Sequence, residues 1–357
     1  MLSVSMGERC EYVRGPLAAT NDTVVINIDC SQSTPLSHYV PLQLRDDVTH
    51  VAVQLLHCDT VPVGLFTNVT DNLTSVTVAS EDAVKLFDGT FEGLERVTEF
   101  RLLGFTMLSN LSRSVLEPLR NIQTLVLDGF GSANIPLTYL GSVIQKLSGT
   151  PIRRLVLHKI KDQLFFQQTM KMDNFSIENA HVKELIITDA PLNYEGSIRR
   201  AFPDLVCFCG GVRIDEQTDK TLPAVWDLML LSDKLEDIIL YRPKDFSSIQ
   251  SRNGPTIPLN IIKIIPSIFQ TGRLYPDMTR YFINGLKEAR DKDCELGFKL
   301  KFGANLSKVT VNRLFLWIAA EKPICILEDN NLMYLDFTGC SFPNTVPVLT
   351  GFKRFNI

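Results

Sequence analysis

A repeat of about 24 residues restricts the folds open to this chain more than any other feature of its sequence. Counted from Val48, apolar side chains stand at positions 1, 4 and 6, and the same positions are apolar when the count restarts at Leu73. Phe66 and Phe91 occupy matching late positions of these two units. Further starts follow at Val97, Ile122, Ile152, Val182, Leu235 and Leu332. Because a unit of this length cannot bury its apolar side alone, the pattern predicts units that stack and share one core.

The apolar positions also predict the shape of each unit. Positions 4 and 6 alternate as in a β-strand, and the remainder is a return arc of variable length. Leu332, Leu335 and Phe337, followed by Cys340, match the leucine-rich repeat consensus L-x-x-L-x-L-x-x-N/C. We therefore expect an α/β solenoid, a leucine-rich repeat horseshoe with short parallel strands on its concave face and irregular or helical return arcs. A mixed α/β domain with unrelated amphipathic strands is the alternative.

Position 9 of the repeat departs from that consensus, in which an asparagine usually bonds the backbone of the turn. Here the position holds Leu56, Glu81, Phe105, Phe130, Ile160 and Ala190, and Cys340 alone is a standard choice. Buried backbone groups still need hydrogen-bond partners. We therefore expect the turns to be satisfied by other backbone contacts or by water.

The repeat positions divide the chain into four parts. Residues 1–47 are expected to form a cysteine-containing N-terminal cap, and residues 48–240 leucine-rich repeats. Residues 241–308 fit no repeat count and are expected to be an irregular insertion or degenerate repeats. Repeats resume at 309–357, where FKRFNI falls at the start of a further strand with no cysteine-rich cap after it. This last part is therefore expected to be truncated, and the chain to be a fragment.

Composition and charge exclude some classes of partner. A net charge of -4 gives no electrostatic reason to expect nucleic acid. No uninterrupted apolar run is long enough to span a bilayer. The opening MLSVSMGERCEYV lacks the basic start and the apolar stretch of a secretory signal.

Two other features point to the secretory pathway. N-x-S/T sequons are more frequent than chance predicts and lie at Asn21, Asn68, Asn72, Asn110, Asn174 and Asn305. Cys10 and Cys30 precede the first repeat, where a disulfide between them would close an N-terminal cap. We therefore predict glycosylation at these asparagines and a Cys10–Cys30 bridge, the alternative being two reduced cysteines in a cytosolic protein.

No motif for catalysis is present. The histidines show no metal-ligand spacing, and no P-loop, GxSxG or dinucleotide fingerprint occurs, so we expect no catalytic residue, no metal and no cofactor. Cys207 and Cys209 in CFCGG are one residue apart, which suits neither zinc binding nor thioredoxin chemistry. Buried or disulfide-bonded cysteines are the better interpretation. The basic cluster in PIRRLVLHKIK could meet an acidic ligand, but such clusters are more often solvated strand faces.

The concave face is the surface expected to bind, because odd-numbered strand positions project from it. Its mixed charge suits a protein or glycolipid ligand better than nucleic acid. The candidate ligand-binding residues are Arg101, Asp128, Arg154, His158, Glu184, Tyr334 and Asp336.

The segments VPVGLFTNVTDNLTSV and LFDGTFEGLERVTEF resemble the arcs of Toll-like receptor ectodomains. The stretch CSQSTPLSHYVPLQLRDDVTHV resembles the end of that family's cysteine-capped N-terminal module. The resemblance is clear over residues 30–130, fainter to 245, and returns at 332. It implies an innate immune receptor region that recognises a ligand outside the cell or at its surface and signals through homo- or heterodimers, with the membrane span and cytoplasmic domain missing. The alternatives are a secreted or adhesive repeat protein and an intracellular repeat adaptor.

Overall fold

Parallel β-strands dominate the computed structural model, and helices are few. The structure describes residues 23–31, 41–130, 135–160, 169–188, 190, 193–211, 228 and 232–241, together with strands at 298–300, 308–312, 324–326, 334–336 and 354–356. The chain divides into two compact units, the first formed by residues 11–190 and the second by residues 191–357 with residues 1–10. Among the described residues, no helix has both the length and the apolar character needed to cross a membrane.

Where the structure describes the first unit, it contains ten strands and three short helices. The strands are β1 (Thr23–Asp29), β2 (His50–Leu56), β3 (Ser75–Ser80), β4 (Lys85–Leu86), β5 (Glu99–Leu103), β6 (Asn110–Leu111), β7 (Thr124–Asp128), β8 (Arg154–His158), β9 (Thr169–Lys171) and β10 (Glu184–Thr188). The helices are α1 (Leu137–Ile144) and two 3-10 helices (Gln145–Leu147 and Met172–Phe175). Strands β1, β2, β3, β5, β7, β8 and β10 lie side by side in that order and are all parallel. On the arc side, β4 pairs with β6.

Strand register follows the sequence repeat. His50 lies opposite Ser75, Ser75 opposite Glu99, and Glu99 opposite Thr124, so position 3 of each repeat faces position 3 of the next. The backbone at position 2 fixes this register. The Thr49 carbonyl accepts from the N–H groups of Thr74 (2.9 Å) and Ser75 (3.1 Å). The same pair of bonds recurs at the position-2 carbonyls of Thr74, Thr98, Gln123 and Arg153.

The core of the first unit lies between the strands and the arcs. Positions 4 and 6 are buried as predicted, with no more than 2% of any side chain exposed: Val51, Val53, Val76, Val78, Phe100, Leu102, Leu125, Leu127, Leu155, Leu157, Leu185 and Ile187. Phe91 fills its arc between Phe66 and Phe100, with ring centroids 6.3 Å and 4.7 Å away. Alternation in the strands and aromatic side chains in the arcs therefore build one continuous apolar layer.

From the repeat that starts at Val97 onward, position 9 forms a buried apolar row, whereas Leu56 and Glu81 of the first two repeats are exposed. Phe105, Phe130, Ile160 and Ala190 are buried, and the rings of Phe105 and Phe130 stack with centroids 5.7 Å apart. The turns are satisfied by backbone bonds between repeats, as from Gly129 N–H to His158 O (2.9 Å) and from Lys159 N–H to Thr188 O (2.9 Å). The expectation that backbone contacts replace the asparagine is thus confirmed for these turns.

A disulfide joins Cys30 to Cys58, so the predicted Cys10–Cys30 bridge is wrong. The reason is strand β1, which pairs with β2 so that Asp29 lies opposite Leu56. The Cys30 N–H then donates to the Leu56 carbonyl at 2.9 Å, and the two cysteine Cα atoms lie 4.9 Å apart at the same end of the strands. Cys10 lies outside the described residues. The bridge closes a 28-residue separation, which is worth about 3.6 kcal/mol in the chain-entropy account.

The second unit contains strands β11 (Asn193–Glu195), β12 (Cys207–Gly211), β13 (Asp237–Tyr241), β14 (Phe298–Leu300), β15 (Lys308–Asn312), β16 (Ile324–Ile326), β17 (Tyr334–Asp336) and β18 (Arg354–Asn356), with helix α2 (Ile198–Ala201). Strands β12, β13, β15, β17 and β18 form a parallel sheet in that order, and β14 pairs with β16. Strand β18 lies within FKRFNI, where a further strand was predicted. Most of residues 241–308 lie outside the described part of the chain.

Strand β12 marks a repeat that the sequence pattern missed. The Val206 carbonyl accepts from Glu236 N–H and Asp237 N–H, which is the position-2 arrangement of the first unit and sets a repeat start at Leu205. Position 6 of this repeat is Gly210, where a Cβ would lie 2.6 Å from Phe208 Cζ. The aromatic ring occupies the space that a leucine fills elsewhere. Cys207 is disulfide bonded and Cys209 is buried, so the interpretation of both as structural cysteines is confirmed.

Candidate functional site

The candidate site is the strand face, which we define as positions 3, 5 and 7 of β2, β3, β5, β7, β8 and β10, opposite the core. Register aligns these positions into three rows. The position-3 row is His50, Ser75, Glu99, Thr124, Arg154 and Glu184; the position-5 row is Ala52, Thr77, Arg101, Val126, Val156 and Ile186; the position-7 row is Gln54, Ala79, Leu103, Asp128, His158 and Thr188. Each row therefore brings together residues that lie far apart in sequence.

At β2, β3 and β5 the strand face combines accessible polar side chains with four buried residues, Ala52, Ser75, Ala79 and Leu103. His50 is exposed, while Gln54, Thr77 and Arg101 are half-buried. The Arg101 guanidinium donates to the Glu99 carboxylate through Nε at 2.5 Å, so this strand presents a cation and an anion held side by side. An arginine fixed by a neighbouring carboxylate keeps further N–H donors for a planar anionic or carbonyl group of a ligand.

At β7, β8 and β10 position 5 is buried, and position 7 is buried at β7 and β8, while position 3 stays half-buried in all three strands. Val156 and Ile186 have no exposed surface, Asp128 is fully buried, and His158 is only 7% exposed. His158 Nδ1 and Thr188 Oγ1 are hydrogen bonded at 2.7 Å across β8 and β10. Asp128 and His158 were predicted to contact a ligand, but their burial places them in the interior of the described structure.

Arg154 and Glu184 form an ion pair at position 3 of β8 and β10. Arg154 Nη1 lies 3.3 Å from Glu184 Oε2, and both side chains are about one-third exposed. A partly solvated pair of this kind adds little to stability, typically below about 1 kcal/mol.

Five of the predicted binding residues therefore share one face, in three different rows. Tyr334 and Asp336 belong to β17 of the second unit. His50 and Gln54 were not among the predicted residues, although counting from Val48 assigns them to positions 3 and 7. The repeat positions therefore indicated His50 and Gln54 as clearly as they indicated Arg101.

The predicted glycosylation sites differ in their surroundings. Asn68 and Asn110 are exposed, and Asn174 is half-buried. Asn72 is exposed as well, but its Nδ2 donates to the Asp46 carbonyl at 2.7 Å. Asn21 and Asn305 lie outside the described residues.

The carboxyl group of Asp29, at the end of β1, has a lowered pKa. The Ser31 backbone N–H donates to Asp29 Oδ1 at 2.9 Å, and this bond, followed by one from the Ser31 hydroxyl, holds the pKa of the Asp29 carboxyl below its ordinary value. Within the described ranges, no group of three or more His, Cys, Asp or Glu side chains is arranged to hold a metal ion. The strand face carries hydrogen-bonding side chains and two ion pairs, Arg101–Glu99 and Arg154–Glu184.

Comparison of the sequence with protein-family models and with curated proteins finds no match.

Proposed function

We propose that the chain is a ligand-binding leucine-rich repeat region of the Toll-like receptor kind, which recognises its ligand on the strand face and signals through dimerisation as part of a longer single-pass receptor. The observation that carries this proposal is the set of accessible polar side chains on β2, β3 and β5 (His50, Gln54, Thr77, Glu99 and Arg101), on a sheet whose strands advance by one sequence repeat each. A row of side chains set by register is a surface on which ligand specificity can vary without altering the core.

The repeat assignment is supported by three properties of the first unit. All its main strands are parallel, positions 4 and 6 are buried throughout, and the position-2 carbonyl takes the same two bonds from repeat to repeat. These are the features expected of stacked repeat units. The receptor assignment rests on the resemblance of residues 30–130 to Toll-like ectodomain segments, and not on the sheet.

The extracellular setting is supported by the Cys30–Cys58 bridge and by the exposed sequons at Asn68 and Asn110. A disulfide between two strand ends persists in oxidising compartments and is rare in the cytosol. This favours the receptor, or a secreted or adhesive repeat protein, over an intracellular adaptor. We expect a protein or glycolipid ligand and no nucleic acid.

The binding test uses the whole chain, secreted with an added signal peptide and immobilised, against a panel of bacterial glycolipids, lipoproteins and surface proteins. For a ligand on the strand face, Arg101→Ala should weaken binding about tenfold or more, as expected for loss of a charged hydrogen-bond donor. Arg120→Ala is the matched control, because Arg120 is exposed on an arc. Equal binding by wild type and Arg101→Ala would move the ligand site away from β5.

A second arm separates a receptor from an adhesive protein. The chain is fused to a membrane span and a Toll-like cytoplasmic signalling domain in reporter cells and exposed to the ligand found in the first arm. Ligand-dependent reporter activity, together with ligand-dependent dimers in sedimentation, is the expected result. Ligand binding without dimers and without reporter activity would contradict the receptor function and favour the secreted or adhesive protein.

A further inference from the structure

A surface cleft on the arc side of the first unit lies between β6 and helix α1. It has a volume of about 510 Å³ and is lined by Asn110, Leu111, Arg113, Pro136, Tyr139 and Ser142 among others. The arc strands β4 and β6 pair with each other, and among the described residues the arc of the next repeat presents α1 beside β6. The Tyr139 hydroxyl of α1 donates to the Leu111 carbonyl of β6 at 2.8 Å, so this side chain bonds the backbone of that strand.

We propose that Asn110 carries an N-linked glycan whose first sugars lie in this cleft. Asn110 begins the sequon Asn110–Leu111–Ser112, its side chain is exposed, and it forms part of the cleft wall. A glycan attached there starts at the cleft and needs no extended linker to enter it. The proposal rests only on the secretory route within the proposed function.

The chemistry of the cleft suits a sugar. A pyranose ring presents hydroxyl groups at its edges and apolar C–H groups on its faces, so it binds to surfaces that combine polar groups with an aromatic ring. Tyr139 supplies the ring, and Leu111 and Pro136 supply further apolar surface. Arg113 Nε donates to Ser142 Oγ at 3.4 Å, which sets a cation from the β6 side beside a hydroxyl of α1. The volume lies in the range of ordinary ligand pockets.

The other described sequons of the short arcs lack this arrangement. Asn68 is exposed but is not part of the cleft wall. The Asn72 amide nitrogen, which would have to bear the sugar, donates to the Asp46 carbonyl at 2.7 Å. Among the described sequons of the short arcs, Asn110 is therefore the one whose glycan would be attached beside the cleft and could pack in it.

The attachment step uses a lipid-linked oligosaccharide pyrophosphate as its co-reactant. A bond forms between the Asn110 side-chain nitrogen and C1 of the reducing-end sugar. The bond from C1 to the pyrophosphate oxygen breaks, the amide loses one proton, and the lipid pyrophosphate leaves with the bonding electron pair. No oxidation or reduction occurs.

The test expresses the whole chain with an added signal peptide and measures glycan release by a peptide-N-glycosidase, site by site, on folded and denatured protein. The Asn110 glycan should be released at least tenfold more slowly from folded protein than the Asn68 glycan, and both at similar rates after denaturation. Thr138→Trp, which fills the cleft from an exposed helix position, should abolish the difference. Gln145→Trp, exposed just beyond the same helix, is the matched control.

A second measurement does not depend on the tryptophan variants. Asn110→Gln removes the glycan and adds one methylene to the cleft wall, and it should lower the melting temperature, whereas Asn68→Gln should not. An unmodified Asn110, or equal release from Asn110 and Asn68 on folded protein, would overturn the proposal. A glycosylated Asn110 in a chain that binds no ligand would instead contradict only the receptor function.

Discussion

Two regions of the first unit reach the same strand register through different arcs. In the short-repeat region, residues 41–130, equivalent residues of neighbouring repeats are 24 to 25 residues apart, and the arcs contain no helix. In the long-repeat region, residues 135–188, the separation is 30 residues, and the arcs contain α1 and the two 3-10 helices. Both regions nevertheless pair strand to strand without a shift. Register is therefore independent of arc length.

The backbone explains this independence. In both regions the position-2 carbonyl accepts two N–H groups of the next repeat, as Thr74 does in the short repeats and Arg153 in the long ones. These bonds involve no side chain, so the residue type at position 2 is free to change. Arc length is then limited only by what fills the core behind the strands.

The side chains that support the arcs do differ. The short arcs stack aromatic rings and add side-chain bonds to the preceding turn, as from Asn121 Nδ2 to Glu95 O (2.7 Å). The long arcs place a helix there, and Ser148 Oγ donates to Glu178 O at 3.0 Å. Position 5 of the strand face differs in parallel, half-buried at β3 and β5 and buried at β8 and β10.

The largest effect should come from removing an arc ring. Phe91→Ala empties a fully buried site between two other rings, and we expect a loss of about 3–5 kcal/mol in the free energy of unfolding. Phe175→Ala is the matched change in the long-repeat region, where Phe175 is buried in a 3-10 helix. Its cost should be lower by roughly 1 kcal/mol, the usual contribution of ring–ring contacts. Urea unfolding followed by circular dichroism measures both; a larger loss for Phe175→Ala would contradict an aromatic basis for the short arcs.

The next effect concerns how closely neighbouring arcs approach. Gly93 has φ +95, and a Cβ there would lie 2.0 Å from the Phe66 carbonyl oxygen, so Gly93→Ala must displace backbone. Gly149 in the long-repeat region has φ +76, but a Cβ would meet nothing within 4 Å. We expect about 3 kcal/mol of destabilisation for Gly93→Ala from strain and overpacking, and about 1 kcal/mol for Gly149→Ala from the left-handed backbone alone. Equal losses in urea unfolding would mean that the short arcs can move apart at no cost.

Sequence periodicity predicted the strands well because positions 4 and 6 are buried and therefore hold apolar residues, which the sequence shows directly. It failed where a different physical constraint acts. Gly210 breaks the apolar pattern because the Phe208 ring fills its space, so the repeat at Leu205 went unrecognised. The Cys30–Cys58 bridge depends on β1, whose residues carry no repeat signal of their own.

The candidate site was predictable in position but not in exposure. Register aligns Arg101 with Val126 and Val156 in one row, as the repeat count implies. The sequence assigns all three to a solvent-facing slot, yet only Arg101 keeps access. Val126 and Val156 are apolar, which indicated burial, but the assignment from repeat position placed them on the solvent-facing side. Residue type distinguishes these three residues, but it does not explain Asp128 and His158, which are polar and buried at outward positions.

A smaller effect should follow from the side-chain bonds of the short arcs. Asn121→Ala removes the bond from Nδ2 to the Glu95 carbonyl at the surface, and we expect a loss of about 0.5–1 kcal/mol. Gln123→Ala, at an exposed residue two positions further along, should change stability by less. Comparing the two in urea unfolding, at the same glycosylation state, isolates the bond. If both variants unfold at the same urea concentration as wild type, the short arcs are held by their rings and backbone alone.

The smallest effect belongs to Asp29 in β1, beside the bridge that joins this strand to the short-repeat region. Because hydrogen bonds from Ser31 lower its pKa, the Asp29 carboxylate contributes stability that is fully present above the unfolded-state pKa of about 3.9. That contribution is lost as pH falls through the lower folded-state pKa. Wild type should therefore exceed Asp29→Asn in stability near neutral pH, and the gap should close in acid. Ser31→Ala keeps the backbone N–H, the larger cause of the shift, so it should retain most of the gap. Urea unfolding of wild type and Asp29→Asn at neutral and acidic pH measures this difference in stability. A difference that grows in acid would contradict the prediction that the Ser31 bonds stabilise the ionised Asp29 carboxylate.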